Sequence, residues 1–361
     1  MSREKLKKIK KLRVGGLPII RSIMEKMYLK EILYKHIKPH GNEAIPAVES
    51  LILLIYNLTQ AKSPLYELEE WVRSLDQRCL HPLELPCGEF NDDRFGRALD
   101  KLYNADRASL LTDIVTTTAK EFNLDLSRIH NDSTTVKACG RIPGRTKTGL
   151  ELKNGNSKDH RPDLKQLVYN LSITADGGVP VHHRCYPGNR TDDTLHIEVW
   201  NTLCSMYGSS DFLYVADSKL CTTKQLQHIS INHGKAITII PETWKETKEF
   251  KDELRHTAKA KKEIWRRLKP GSDTEREYFS AYQGDYRTHK GGYRIHWIYS
   301  SEKRKRDRKS REKKLQKAER DLLELNSKLN QRNFKTQEEI ERAAETILTV
   351  HKVKNLIRLD I

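Results

Sequence analysis

The feature that most constrains the fold is a hairpin pattern followed directly by helices that alternate with apolar strands. Residues 167–174 alternate with the period of a half-buried strand, Asp176-Gly177-Gly178 is a hairpin turn signal, and residues 179–186 supply the return strand. An amphipathic helix, a short strand buried on both faces, a second helix and a last strand are then predicted over 194–207, 212–216, 222–229 and 236–240. A hairpin joined to strand-helix-strand crossovers indicates an α/β layer with a mixed sheet.

One more strand is predicted before the hairpin, over residues 124–135, and it runs into a polar turn. The order is then strand, strand, strand, helix, strand, helix, strand, which matches an RNase H-like domain. Between the first strand and the hairpin, residues 137–165 are rich in Gly and Lys/Arg, and they indicate a long basic loop.

The rest of the chain divides by composition into three further segments. Residues 1–123 predict a helical N-terminal domain, with a central buried helix at the apolar run 51–58 and a capped helix over 90–104. It is either a DNA-binding module or a packing or dimerisation domain. The RNase H-like catalytic core begins at 124 and its first part ends at 240. We expect an α+β insertion subdomain over 241–300, with a charged helical stretch at 246–268, and a basic helical arm over 301–361.

The charge balance favours a polyanionic partner. The 361 residues contain 66 Lys and Arg against 49 Asp and Glu, a formal net charge of +17, and nucleic acid is the commonest partner of so basic a protein. The longest apolar run is far shorter than the ~20 residues of a membrane span, and the charged start MSREKLKKIKKLR has no apolar signal core. We therefore expect a cytoplasmic, nucleoid-associated protein with no membrane partner.

Two acidic residues stand out by their context. Asp132 ends the first predicted strand of the sheet, and Asp217 directly follows the apolar strand 212–216. Either one alone is best explained as the cap of a turn or helix. On the two strands that an RNase H-like order makes neighbours, both together indicate a site for Mg²⁺, whose preferred ligands are hard oxygens.

Five segments together resemble the DDE-type insertion-sequence transposases, in the branch related to insertion sequence four. They are FNDDRFGRALDKLY, IHNDSTTV, NSKDHRPDLKQLVYNLSI, YPGNRTDDT and FLYVADSKL. The resemblance implies an RNase H-like catalytic domain in which Asp132 and Asp217 are the first two members of an acidic triad that binds Mg²⁺ (or Mn²⁺). It also implies a homodimer in a synaptic complex with the terminal inverted repeats and target DNA, which cleaves the ends and joins them to the target.

The third acid departs from this pattern. The branch carries it in a helix with the pattern Tyr-x2-Arg-x3-Glu-x6-Lys, and no stretch of this chain fits. We expect an incomplete triad in a truncated chain, so that the position of the third acid is unknown. Two alternatives stay open: a DNA-binding protein without catalysis, and a nuclease of RNase H-like fold that uses Glu339 or a neighbouring acid as its third ligand.

Basic residues after Asp132 are candidates for DNA binding, because they would neutralise phosphates beside the acidic pair. They are Lys137, Arg141, Arg145, Lys147, Lys158, Arg161 and Lys165. The charge run 303–320 either binds DNA or forms a solvated helix face. In the expected insertion, Trp244, Trp265 and Trp297 either stack on an unpaired base or pack in the core. His182, His183 and His196 are explained by strand and helix-cap positions.

Overall fold

The computed structural model describes residues 11–41, 43, 45–80, 90–140, 150–155, 163–190, 195–329 and 334–359. The chain divides into two compact units, Met1–Pro241 and Glu242–Ile361. Within the described residues, no helix combines the length and the apolar character that a bilayer crossing requires.

The first part of the Met1–Pro241 unit is helical, as predicted. Its helices are α1 (Leu17–Lys26), α2 (Leu29–His36), α3 (Ala47–Gln60), α4 (Leu68–Arg73, after a 3₁₀ turn at Leu65–Glu67), α5 (Gln77–Leu80), α6 (Asp92–Asn104) and α7 (Arg107–Phe122). The predicted Asn-Asp-Asp cap of α6 is confirmed, because the Asn91 side chain accepts a hydrogen bond from the backbone N–H of Arg94.

The core of these helices is built around α3. Leu51, Leu53 and Tyr56 are buried, and Leu68 and Phe95 from the neighbouring helices pack in the same cluster. The prediction of a central buried helix over 51–58 is therefore confirmed for most of its length. Its last residue, Leu58, is 66% exposed, because it lies on the outer face of the last turn of the helix.

The second part of this unit is a mixed α/β layer. The strands are β1 (Arg128–Ala138), β2 (Lys153–Asn154), β3 (Lys165–Thr174), β4 (Pro180–Pro187), β5 (Leu213–Ala216) and β6 (Lys235–Ile237), with helices α8 (His196–Tyr207) and α9 (Thr223–Ile231) between them. β4, β3 and β1 are joined antiparallel in that order, and β1, β5 and β6 are joined parallel. This strand order confirms the predicted RNase H-like mixed sheet.

The polar turn predicted at the end of the segment 124–135 is absent, because β1 continues to Ala138. The residues that suggested a turn alternate between the two faces of the strand, and Asn131 and Ser133 are buried. The Asn131 amide nitrogen donates to Asn170 Oδ1 at 2.7 Å and to Ser172 Oγ at 2.9 Å on β3. These bonds satisfy polar side chains inside the sheet, so a polar segment forms a strand.

The predicted basic loop 137–165 is also shorter than expected. Lys137 lies within β1, Lys165 begins β3, and the two-residue β2 pairs with β3 between them. Pairing between β1 and β3 starts at Ala138 and Lys165, so the hairpin strands extend into both ends of the predicted loop. The rest of the segment is described only at 139–140, 150–152, 155 and 163–164.

The Glu242–Ile361 unit contains α10 (Lys245–His256), β7 (Lys261–Leu268), β8 (Arg276–Tyr282), β9 (Tyr286–Arg287), β10 (Arg294–Ile295), β11 (Ile298–Ser300), α11 (Ser301–Ser327) and α12 (Gln337–Val350). The predicted helix over 246–268 is wrong in its second half, where β7 pairs antiparallel with β8. Every residue of β7 is exposed, so the strand has no buried face and its sequence shows no alternation.

The segment predicted as a basic helical arm contains two helices, α11 and α12, which pack against each other as a helical hairpin. Ala318 of α11 is buried against Leu348 of α12 and Val353, which follows it. Asp321 of α11 pairs with His351 Nε2 at 2.6 Å. Leu315, Ala318 and Leu322 follow one another at intervals of three and four residues, and this apolar stripe is the seam between the two helices.

Candidate active site

The two acidic residues singled out in the sequence lie on adjacent parallel strands. Asn131 of β1 is the Cα partner of Ala216 of β5, and this is the last pair of the parallel register. Asp132 is the next residue of β1, and Asp217 directly follows the end of β5. If the register is continued by one residue, the two acids are neighbours on one side of the sheet.

The two carboxylates are exposed to solvent while the residues beside them are buried. Asn131 and Ala216 are both buried, whereas Asp132 and Asp217 are both exposed. This follows from the strand alternation, in which the buried face of β1 holds Ile129, Asn131 and Ser133. The sheet therefore fixes the backbone of Asp132 and of the residue before Asp217, and both acids are exposed residues.

Local hydrogen bonds orient both side chains. Asp132 Oδ1 accepts the backbone N–H of Ser133 at 2.8 Å, and Asp217 Oδ1 accepts the backbone N–H of Lys219 at 2.9 Å. The Asp217 carbonyl also accepts from the Thr238 hydroxyl, next to β6. Asp217 thus caps the turn that follows β5, as the alternative interpretation of the sequence proposed, whereas Asp132 accepts the N–H of the next residue within β1. Both residues are exposed.

The chemistry of this pair fits a hard divalent cation. Mg²⁺ is commonly held by one or two carboxylates together with water and substrate phosphates, rather than by a complete cage of protein ligands. Asp132 and Asp217 supply the oxygen donors. Within the described part of the chain, no group of three or more His, Cys, Asp or Glu side chains assembles in the geometry of a metal site.

Three of the four acids of α12 make local contacts. Glu339 is the third residue of a capping box at the start of the helix, and its carboxylate accepts the backbone N–H groups of Lys335 and Thr336. These bonds lower the pKa of Glu339 below its usual range. Glu345 pairs with Lys354, and Glu341 accepts from Gln337.

The candidate DNA-binding residues are only partly described. Lys137 and Lys165 lie on paired strands, but Arg141, Arg145, Lys147, Lys158 and Arg161 fall outside the described residues. Lys165 pairs with Ala138, which the strand alternation puts on the same face as Asp132, about 20 Å along β1. Lys137 is an odd number of residues from Asp132, so it belongs to the opposite face of β1.

The histidines and tryptophans noted in the sequence have mainly packing roles. His182 is buried, and burial lowers its pKa to about 4, so the ring is neutral at neutral pH. His196 is buried with its Nδ1 3.1 Å from the Tyr214 hydroxyl. Trp297 stacks on Phe250 with centroids 4.3 Å apart, whereas Trp265 stacks on Phe279 and is 50% exposed.

Sequence reasoning missed the buried amide pair beneath Asp132. Asn131 and Asn170 exchange hydrogen bonds on β1 and β3, directly beside the acidic position. The available signal was the position of Asn170 in the alternating segment 167–174, where a polar residue falls between apolar ones. This network holds β1 against β3, and β1 in turn supports Asp132.

A family described as a domain of unknown function, DUF4277, matches residues 8–116, whose described residues include α1 to α6 and part of α7. No curated protein matches. Among solved structures, a piggyBac transposase synaptic complex with hairpin DNA overlaps 79% of this chain and 59% of its own chain, at 11% identity and a TM-score of 0.36.

Two structures of the Mos1 transposase also overlap. A paired-end complex with the left transposon end covers 57% of this chain and 62% of its own, at 10% identity and a TM-score of 0.22. A pre-cleavage transpososome covers 61% and 68%, at 9% identity and a TM-score of 0.22. This chain thus spans less than two thirds of the piggyBac and paired-end Mos1 chains. The RNase H-like assignment of the sheet comes from its own strand order and register.

Proposed function

We propose that this protein is a DNA transposase that cleaves the terminal inverted repeats of an insertion sequence and joins them to target DNA. The observation that carries the proposal is the register of β1 and β5, in which Asp132 and Asp217 follow the last parallel pair. The sequence resemblance to DDE-type transposases of the branch related to insertion sequence four supports it, and so does the net charge of +17. In this proposal the protein acts as a homodimer on DNA.

Asp132 and Asp217 hold Mg²⁺ (or Mn²⁺) in this proposal. When bound, a divalent pair activates a water or a 3′-hydroxyl and stabilises the leaving oxygen of a phosphodiester. The backbone N–H groups of Ser133 and Lys219 orient the two carboxylates. Buried neighbours fix the strands that carry them, so little reorganisation is needed when a ligand is bound. Lys165, on the Asp132 face, contributes to phosphate binding together with the basic residues of 141–161.

In the transposases that the sequence resembles, a third carboxylate completes the triad. In this chain we assign that carboxylate to no residue. Glu339 is a poor candidate because its carboxylate is used in the capping box of α12. The nuclease alternative that relied on Glu339 therefore loses its best ligand.

The test measures DNA cleavage by the full chain and by matched variants. The substrate is a plasmid that carries the genomic segment encoding the chain together with its flanks, incubated with Mg²⁺ or Mn²⁺. We expect Asp132→Asn and Asp217→Asn each to reduce cleavage by about a hundredfold or more, because each removes an oxygen ligand. Asp211→Asn is the control, since Asp211 is exposed and lies just before β5, at its opposite end.

The outcomes separate two functions. The transposase function is supported if cleavage at the ends of the insertion sequence is lost in both variants and retained in Asp211→Asn. Tight DNA binding with no cleavage by the unaltered chain supports the second candidate, a DNA-binding protein without catalysis, which the large excess of Lys and Arg favours. Cleavage that persists in Asp132→Asn or Asp217→Asn contradicts the assignment of the site.

A further inference from the structure

The first half of α11 is an exposed basic helix with few internal ion pairs. Residues 301–314 contain nine Lys and Arg against three acidic residues, and all of 303–314 are exposed. The three acids are already engaged, Glu302 with Lys305, Asp307 with Lys303, and Glu312 with Arg308. Within the described residues, six cations have no carboxylate partner: Arg304, Arg306, Lys309, Arg311, Lys313 and Lys314.

One face of α11 changes character along its length. In the second half, Leu315, Ala318 and Leu322 form the seam that packs against α12. The same 3-4 spacing continued towards the start of the helix falls on Arg311, Arg308 and Arg304. The helical hairpin therefore covers the apolar part of this face and leaves its arginine part exposed.

The arginine face continues onto the sheet of β7, β8 and β11. Arg304 Nη1 donates to the Tyr299 hydroxyl at 3.3 Å, and Lys261 Nζ lies 3.5 Å from the centroid of the Tyr299 ring. Tyr278 is 5.9 Å from Tyr299, and its ring lies 5.5 Å from Arg266. We call these five residues, with Arg308 and Arg311, the Tyr299 face.

The positive groups of this face act on its tyrosines. The hydrogen bond from Arg304 lowers the pKa of Tyr299, and the nearby charge of Lys261 acts in the same direction. Arg266 is bound by Glu263 through two hydrogen bonds of 2.8 and 2.6 Å, so it is largely neutralised. The cations that remain for a ligand are Lys261, Arg304 and Arg311.

We propose that the Tyr299 face is a second DNA-binding surface that binds the phosphate backbone of a duplex. Charge complementarity selects the phosphate backbone, because three cations without carboxylate partners lie on one exposed face. Base stacking is disfavoured here, because Lys261 and Arg266 already lie over the tyrosine rings. Arg304 and Arg311 are about 10 Å apart along the helix axis, which is about three phosphate steps of one DNA strand. The proposal rests on the proposed function only for the choice of DNA as the polyanion.

The test compares two double variants of the full chain with the same change in charge. Arg304→Glu/Arg311→Glu reverses the Tyr299 face, and Lys309→Glu/Lys313→Glu reverses exposed residues on the opposite side of the helix. Binding to a labelled duplex of arbitrary sequence is measured by fluorescence anisotropy over a range of salt, in EDTA so that no cleavage occurs. We expect the first variant to lose about tenfold or more in affinity and the second less than about threefold.

The salt dependence provides a second readout. Lys261→Gln and Arg311→Gln should each reduce the slope of log K against log salt by about 0.9, which corresponds to one phosphate contact. Arg311 makes no ion pair in the described residues, so its replacement leaves the fold intact, and circular dichroism verifies this for every variant. Equal losses in the two double variants, an unchanged slope, or binding restricted to single-stranded DNA would each overturn the proposal.

The binding test and the cleavage test can fail separately. If the unaltered chain does not cleave DNA, the transposase assignment is contradicted, but the comparison of binding in EDTA is unaffected. Conversely, if the two double variants bind equally, the DNA-binding role of the Tyr299 face is contradicted, but the proposed roles of Asp132 and Asp217 are unaffected.

Discussion

Asn131 and Asp132 are consecutive in the chain and have opposite environments. The Asn131 side chain is buried in hydrogen bonds with Asn170 and Ser172, whereas Asp132 is exposed on the other face of β1. Asn131 holds β1 against β3, and the strand exposes Asp132 to solvent. A site built this way combines a rigid backbone with accessible oxygens, which is what binding a metal and a phosphodiester requires.

We predict that Asn131→Ala destabilises the protein without touching the acidic pair directly. The substitution leaves the buried Asn170 amide and Ser172 hydroxyl without their partner, which costs about 1–3 kcal/mol. The free energy of unfolding is measured by urea denaturation. Thr134→Ala, on the exposed face of β1, is the control, and we expect a change within about 0.5 kcal/mol. A neutral Asn131→Ala would show that the amide network does not hold β1.

Among the elements, those with an apolar buried face or stripe were predictable, whereas β7 and the polar part of β1 were not. β3 alternates strictly and is followed by an Asp-Gly-Gly turn, and the hairpin of β3 and β4 is present. All residues of β7 are exposed, so the strand has no buried face, and its charged sequence predicts a helix. The polar stretch in β1 suggested a turn, because only the pairing with β3 gives Asn131 and Ser133 buried partners.

The candidate site was predictable to the same degree. The sequence order of apolar strands identified Asp132 and Asp217, and the register of β1 and β5 brings the next positions of both strands together. What the sequence did not reveal is which basic residues share a face with the acids. The face of each residue depends on whether it lies an even or an odd number of positions from Asp132 along β1. The sequence predicts a polar turn and a basic loop there, so it does not give this spacing a meaning.

Two glycines provide a prediction at the level of the elements. A Cβ on Gly188, at the end of β4, would lie 2.1 Å from the Gln166 carbonyl oxygen and 2.3 Å from that of Lys153. The backbones of β2, β3 and the segment after β4 meet here too closely for any side chain. We expect Gly188→Ala to destabilise the protein by more than about 2 kcal/mol.

Gly96 is the matched control, because it lies in α6 and a Cβ there meets nothing within 4 Å. Gly96→Ala should stabilise the protein by about 0.5–1 kcal/mol, since alanine loses less entropy in a helix. Both are measured by urea denaturation. A Gly188→Ala variant as stable as the parent would mean that the strands can separate at this point without cost.

For the whole molecule, the proposed catalytic and DNA-binding groups carry opposite charge and belong to different sets of residues. The acidic pair lies in the Met1–Pro241 unit, and the Tyr299 face lies in the Glu242–Ile361 unit. Affinity for a duplex comes from Lys and Arg, and two carboxylates near a phosphate weaken it through repulsion. Binding and cleavage should therefore respond to different substitutions.

We predict that the double variant Asp132→Asn/Asp217→Asn binds duplex DNA at least as tightly as the parent in EDTA. It loses two negative charges and no Lys or Arg, so the affinity should be equal or slightly higher and the slope of log K against log salt unchanged. Fluorescence anisotropy over a salt series measures both quantities. Arg304→Glu/Arg311→Glu, measured alongside, should show the reverse result, with lower affinity and a shallower slope. A double Asp variant that binds more than about tenfold more weakly would mean that the carboxylates support the fold or the DNA contact itself, and the division between binding and catalytic residues would not hold.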